Sequence, residues 1–422
     1  MERVQRRSAE QRALANNSEA RPRLWSRGGT AHRDAVGLPK AKARSMILTQ
    51  CPVCAASLPD LTAKQCSRCK TRYCCAACQK KHWEEGGHDK LCKKIKKAGG
   101  AEQYNANHKY TAAVAVAAEA CAEDTKGQTC YICTETVHRH TKEGLVRGCA
   151  CHTTEGFVHV SCLVERAKIL VAEAEEKKLG SKVLNERWNR WNTCGLCKQR
   201  YHGVVYCALG WACWKTYLGR QETDQVRCMA LNVLGLCLHH AKHYEDALSV
   251  REAELSAMRR LGDIVGNMLA VQANLAMTYN ALGRDEEALS MERDVYAGSL
   301  KLNGEEHTDT LKVANNYAST LVTLERFEEA KSVLRKTLPV ARRGLGGNYE
   351  LTLRMRWNYA KALYRDDRAT LDNLREAVTT LVESERTARR VFGSAHPLTE
   401  GIERDLQTSR ATLRAREAPS GK

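Results

Sequence analysis

Three scarcities bound this 422-residue chain before any motif is read. It has no run of about 18 or more apolar residues, the length a bilayer crossing needs. The longest such run, Val204 to Trp214, is too short and contains Gly210, so no transmembrane segment is expected. Met1 to Met46 holds no apolar core of the kind a secretory signal carries, so a reducing compartment, cytoplasmic or nuclear, is expected rather than an oxidising one. Met46 stands as a second candidate start. Acidic residues are the scarcer sign, 49 against 67 Lys and Arg, for a formal charge of +18. Residues 1–100 carry 22 Lys and Arg against 8 Asp and Glu, so the basic character belongs to the amino-terminal part, including Lys93-Lys94-Ile95-Lys96-Lys97. Arg3 to Arg44 shows no helical or strand periodicity and few large apolar residues, the composition of a disordered, solvated arm. Nuclear import or contact with acidic surfaces is the alternative use of such an arm. Nucleic acid is not an expected partner, and Glu2, Glu10, Glu19 and Asp34 argue against a transit peptide.

What the chain has instead is cysteine, 20 in all. One run reads Cys51-x2-Cys54, Cys66-x2-Cys69, Cys74-x3-Cys78 and His88-x3-Cys92. A second reads Cys130-x2-Cys133, Cys149-x-Cys151, His159-x2-Cys162 and Cys194-x2-Cys197. Thiolate and imidazole are the ligands of closed tetrahedral zinc sites, and paired ligands on one tight turn can reach the same ion. Eight ligands per run make two ions per run, so about four zinc ions per chain are expected. Cys75, Cys121, Cys207, Cys213, Cys228 and Cys237 show no such spacing and read as small buried hydrophobes or surface thiols.

In the first run, Gln79-Lys80-Lys81-His82-Trp83-Glu84-Glu85 suits a short helix begun by Cys78 and ended by Gly86-Gly87. Order then pairs Cys51, Cys54, Cys74 and Cys78 on one ion, and Cys66, Cys69, His88 and Cys92 on the other. His82, four residues after Cys78, is the competing ligand for His88. The span Cys51 to Cys92, with Tyr73-Cys74, Cys78-Gln79 and Trp83, resembles a MYND finger, although Gly86-Gly87 lengthens the gap before His88. The resemblance implies a module that binds short peptides, often containing proline, in a shallow groove beside Gln79 and Trp83; Trp83 could equally just cover the zinc. The methyltransferase activity of some MYND proteins needs a SET domain, which this sequence does not show.

In the second run, cross-bracing puts Cys130, Cys133, His159 and Cys162 on one ion and Cys149, Cys151, Cys194 and Cys197 on the other. One residue separates Cys149 from Cys151, seven separate Cys151 from His159, and Trp191 stands three before Cys194. The blocks Gly148-Cys149-Ala150-Cys151, Gly156 to Cys162, and Cys197-Lys198-Gln199-Arg200-Tyr201 are similar to RING-CH fingers; a PHD finger is the alternative. Thirty-one residues lie between Cys162 and Cys194, more than usual, and Leu163 to Leu179 reads as an amphipathic helix with Leu163, Ala167, Leu170 and Ala174 on one face, closed by Gly180. The resemblance implies recruitment of a ubiquitin-conjugating enzyme through Ile132 and Trp191, with Lys198 or Arg200 donating to ubiquitin.

From about Thr223 the chain repeats itself. Asn232, Asn274, Asn316 and Asn358 recur every 42 residues, as do Gly262, Gly304 and Gly346; Gly393 follows after 47, placing five extra residues around Arg365 to Asn373. Each unit reads as helix, turn, helix. The period and the Gly-x2-His-x2-Thr connectors (Gly304, His307, Thr310; Gly393, His396, Thr399) resemble the tetratricopeptide repeats of kinesin light chains, with Tyr349 replacing His in the middle connector. Helix pairs of this kind stack into a superhelix. One Asn per repeat would line its concave side and hold an extended peptide, or would tie adjacent helices together.

The expected fold is therefore multi-domain: two small cross-braced zinc fingers with little regular structure, followed by an all-α tetratricopeptide solenoid. Expected boundaries are a disordered basic arm over 1–46, a MYND-type finger over 47–97, an Ala-rich linker or helix over 98–125, a RING-CH-type finger over 126–205, repeats over 206–416 and a disordered tail over 417–422. The expected function is a RING-CH-type ubiquitin ligase whose MYND groove and repeats bind peptide or protein ligands and select the substrate. The alternatives are a non-catalytic zinc-dependent interaction scaffold, or a chromatin reader for which no cage near Cys130 is visible.

Overall fold

The computed structural model describes residues 47–418, except 49, 57, 59–62, 150, 152–155, 263, 264 and 395. The arm expected over 1–46 and the tail beyond Ala418 lie outside the described residues. The chain divides into two compact units, one ending at residue 263 and one beginning at residue 264.

The first unit opens with a short antiparallel ribbon, β1 (Lys64–Gln65) against β2 (Arg72–Tyr73), which pairs Lys64 with Tyr73. Helix α1 (Ala76–Glu84) starts at Cys75, whose sulfur accepts from the Cys78 amide. Helix α2 (His88–Ala98) buries His88, Cys92 and Ile95, a stripe at spacings of four and three that faces inward and leaves its lysines in solvent. Gly99 and Gly100, both at positive φ, end α2 and turn the chain into α3 (Ala101–Ala120). The segment expected as an Ala-rich linker or helix is folded as a helix, and it is a core element: Ala106 and Ala117 are fully buried, and α3 packs along α6 (Gly203–Tyr217).

The second zinc run folds around two isolated bridges, Val146 to Val158 and Thr193 to Arg200. Helix α4 (Val160–Glu176) buries Leu163, Ala167 and Ala174 of the expected face, with Val171 added, while Leu170 is only half-buried. It ends three residues before the expected closure at Leu179, because Lys178 takes the left-handed conformation (φ 49°) and Leu179 donates back to the Ala174 carbonyl. Gly180 instead opens α5 (Gly180–Trp188), which leads into a 3-10 turn (Asn189–Trp191).

Helix α6 is apolar all round, and all but four of its 15 residues are buried, which is how a run too short for a bilayer is accommodated. It lies against α3 and α7 (Gln225–His240), which pairs with α8 (Tyr244–Leu261). A Cβ on Gly210 would sit 2.6 Å from the Cys237 Cβ, so glycine there sets the close approach of α6 to α7. The boundary expected at 205/206 consequently falls inside a helix. That helix and the first expected repeat, α7–α8, share one core with the second finger.

The second unit consists of helix pairs: α9 (Val265–Ala281) with α10 (Asp285–Asn303), α11 (Thr308–Thr323) with α12 (Phe327–Gly344), α13 (Glu350–Tyr364) with α14 (Leu371–Phe392), and a final α15 (Pro397–Glu417). This is a helical-repeat solenoid. The connector motif has a physical basis: the His307 and His396 Nδ1 atoms accept from the Asp309 and Leu398 amides at 3.1 and 3.2 Å, capping α11 and α15. Tyr349, at the equivalent place before α13, makes no side-chain cap bond. Thr310, Thr352 and Thr399 are buried one turn inside. The five extra residues of the final repeat are divided: the connection between Tyr364 and Leu371 has six residues against three in the preceding pair, and α14 runs 22 residues against 18 for α12.

Candidate metal centres and contact surfaces

Four ligand pairs sit on tight knuckles built alike. Ala55, Lys70, Thr134 and Lys198, each following the second cysteine of a pair, take φ between 56° and 64°. Each donates its amide to the carbonyl of the first cysteine, at 2.9, 3.0, 2.8 and 3.2 Å. The turn aims both thiols to one side. In the second finger the Ile132 and Leu196 amides also point at the Cys130 and Cys194 sulfurs, each at 3.4 Å, the contact that steadies a thiolate. None of these positions is glycine, so sequence carried no signal for the left-handed turn.

The ligands gather into the four sets that chain order implies: Cys51, Cys54, Cys74, Cys78; Cys66, Cys69, His88, Cys92; Cys130, Cys133, His159, Cys162; and Cys149, Cys151, Cys194, Cys197. Within each set every ligand atom lies within 4.8 Å of the others. Four sulfurs about 2.3 Å from one zinc ion stand about 3.8 Å apart. The observed separations match that edge: 3.5 Å for Cys54 to Cys74 and for Cys74 to Cys78, 3.8 Å for Cys66 to Cys92, and 3.8 Å for Cys151 to Cys194. His88 presents Nε2 to Cys69 at 3.3 Å, whereas His159 presents Nδ1 to Cys133 at 3.3 Å. Donation from the Cys149 thiol holds Cys194 down to about 4 and pushes Cys149 itself well above the ordinary thiol range, so without a cation the proton is held between these two sulfurs. The chemistry and spacing of the four sets fit about four zinc ions. His82 stands outside them, its Nδ1 held 3.0 Å from the Tyr73 hydroxyl, and His88 is the ligand.

Around the second finger the expected contact residues separate. Ile132 is exposed on the first knuckle and Leu196 on the last. Trp191 is not at the surface: it is fully buried, with its ring 5.9 Å from Tyr217 and 6.3 Å from Trp188, so it serves as core rather than as a direct contact. Its place three residues before Cys194 puts it on the 3-10 turn that faces α6, a long-range packing choice invisible in spacing. Lys198 is exposed, with its ammonium 2.5 Å from the Gly195 carbonyl. Sequence reasoning missed a cleft of about 530 Å³ between the first knuckle and α4, where Tyr131 and Ile132 face Glu165, Arg166, Ile169 and Leu170. Ile169 and Leu196 could have been found as apolar residues at positions where the local pattern calls for polar ones.

On the first finger, Trp83 is exposed, its ring 5.8 Å from His88, and Gln79 is half-buried one turn earlier on α1. The four repeat asparagines differ from one another. Asn232 donates to Glu254 at 3.2 Å, within a buried set in which Arg251 and Glu254 pair at 2.6 Å. Asn358 is buried and donates to Asn315 at 3.0 Å, which ties α13 to α11. Asn274 and Asn316 are half-buried, and their backbone carbonyls accept from Thr278 and Thr320. The register is shared, but at Asn232 and Asn358 the amide is already engaged by a neighbouring helix.

Residues 51–92 match the MYND finger family, and residues 268–309 match a tetratricopeptide repeat family. No match was found among curated proteins. Solved structures similar to this chain include BtubC (BKLC) from P. vanneervenii, 13% identical with a TM-score of 0.34, covering 62% of this chain and 94% of that one. Another is a single-substitution form of the nearly identical TPR-like repeats of a Podosopora anserina protein assigned as a kinesin light chain, 17% identical with a TM-score of 0.37, covering 55% and 97%. A further structure of those repeats is 20% identical with a TM-score of 0.36, covering 46% and 95%. The chain therefore carries a MYND finger and tetratricopeptide repeats, modules of zinc-dependent protein–protein interaction.

Proposed function

We propose that the second finger is a RING-CH-type module that docks a ubiquitin-conjugating enzyme, while the MYND groove and the repeats hold the protein to be modified. The observation that carries this reading is the apolar cleft between Ile132 on the first knuckle and Ile169 and Leu170 on α4, with Leu196 exposed on the opposite knuckle. Two exposed aliphatic knuckles and a helix with an outward isoleucine, all fixed by zinc, make a rigid apolar platform on a small domain. Such a module supplies no nucleophile. Transfer runs from the partner's thioester to a substrate lysine, and the finger contributes proximity and orientation. A reducing compartment, cytoplasmic or nuclear, suits the free thiols this requires.

The non-catalytic scaffold has one observation in its favour, the Lys198 ammonium tied to its own knuckle at Gly195 instead of standing free for ubiquitin. Autoubiquitination against a panel of conjugating enzymes separates the two. Ligase chemistry requires activity with at least one enzyme, and its loss in Ile132→Ala and Ile169→Ala with zinc content unchanged; truncating a central apolar contact costs about 2 kcal/mol or more. Wild-type protein inert across the panel leaves the scaffold.

A further inference from the structure

The outer face of α2 carries Lys90, Lys93, Lys94, Lys96 and Lys97, all exposed. Among the described residues none of the five has an acidic partner, whereas nearby lysines do: Lys80 with Glu84, Lys81 with Glu85, and Lys109 with Asp246. Residues 63–111 hold twelve Lys and Arg against four Asp and Glu, so the unneutralised face sits within a positive field. A cleft of about 420 Å³ lies between this helix and α3. Lys94 and Lys97 form one wall; Tyr104, Asn107, His108 and Thr111, spaced at one helical face, form the other. Cations thus stand opposite an amide, two hydroxyls and an imidazole.

We propose that this cleft is a docking site for an acidic peptide segment of a partner protein, separate from the groove beside Gln79 and Trp83. Carboxylate side chains would meet Lys94 and Lys97, while the Asn107 amide donates to the oxygens of the same segment and the Thr111 hydroxyl, which already donates to the Asn107 carbonyl at 3.0 Å, accepts from its backbone N–H. Three features favour a carboxylate-bearing peptide over nucleic acid. The lysines span only about 10 Å of helix from Lys90 to Lys97, room for very few phosphates. The face contains no arginine, the side chain whose planar fork suits phosphate. The two rings in the cleft lie against each other, His108 tilted on Tyr104 with centroids 4.4 Å apart, so one face of each is already occupied and less is left for stacking a base.

The test uses the zinc-loaded full chain and a fluorescently labelled decapeptide of alternating Glu and Gly, followed by anisotropy at two salt concentrations. Lys94→Glu/Lys97→Glu should weaken binding about tenfold or more, since two attractions become repulsions. Asn107→Ala/Thr111→Ala should weaken it without changing net charge. Lys301→Glu/Lys336→Glu, an equal charge change in the repeats, should leave affinity within about twofold. Circular dichroism and zinc content confirm that each variant is folded. Equal losses in both charge-reversal variants, unchanged binding in Lys94→Glu/Lys97→Glu, or tighter binding of a single-stranded oligonucleotide of the same charge that Lys94→Glu/Lys97→Glu abolishes would each overturn the proposal.

Discussion

Glu292 on α10 is buried, with 2% of its surface exposed, and its carboxylate accepts from the Asn280 amide at 3.1 Å. The same amide also reaches the Thr320 hydroxyl at 2.8 Å, and the second carboxylate oxygen has no hydrogen-bond partner. Burial, only partly offset by the Thr320 and Asn280 hydrogen bonds, lifts its pKa from 4.5 to about 7. Between those two values the folded protein keeps a proton that the unfolded chain releases, so stability falls as pH rises through that window and stays low above it. A shift of that size corresponds to about 3 kcal/mol at most, near 1.4 kcal/mol per unit. Glu292→Gln keeps the shape and removes the charge. Hydrogen exchange read by mass spectrometry over α9 to α11, with the variant and wild type compared at each pH so that intrinsic rates cancel, measures the local opening free energy. The variant should gain protection relative to wild type between pH 5 and pH 8, by an amount on the order of a hundredfold in the opening equilibrium. A gap between the two proteins that stays constant across that range would refute the reasoning.

Two further outcomes follow from the same geometry. Purified protein should contain about four zinc ions, and chelation should unfold residues 51–200 while α9 to α15 stay helical, because thiolate ligation is coupled to folding; metal analysis giving two or fewer ions would remove a finger. Asn358→Ala should lower the melting temperature, since it leaves the Asn315 oxygen unpaired in a buried site at a cost of about 1–3 kcal/mol, whereas Asn274→Ala/Asn316→Ala should cost little stability and, if these two hold a peptide backbone, weaken peptide binding about tenfold. Titration calorimetry beside thermal melts decides whether any asparagine acts on ligand rather than on packing.

The ligand sets and the repeat register were legible in sequence because both are local constraints. A pair such as Cys51 and Cys54 can reach one ion only through a tight turn, and the order of eight ligands then leaves one cross-braced pairing, the one observed. The 42-residue interval likewise survives into helix pairs, down to His307 and His396 acting as caps. What needed the tertiary structure depends on partners distant in sequence. Spacing marked Trp191 as notable, but its burial follows from packing on Tyr217 and α6. The alanine-rich stretch read equally as a linker or as a helix; its place in the core follows from its small side chains, Ala106 and Ala117 among them, packing along α6. Asn358 shares its register with Asn274, yet Asn315, one repeat away, decides that Asn358 ties helices together. A charge run reads the same in any sequence; only the packing of α2 against α3 turned Lys94 and Lys97 into the wall of a cleft. Ligand geometry is fixed within a few bonds of the chain, while burial and surface are fixed by what folds over them.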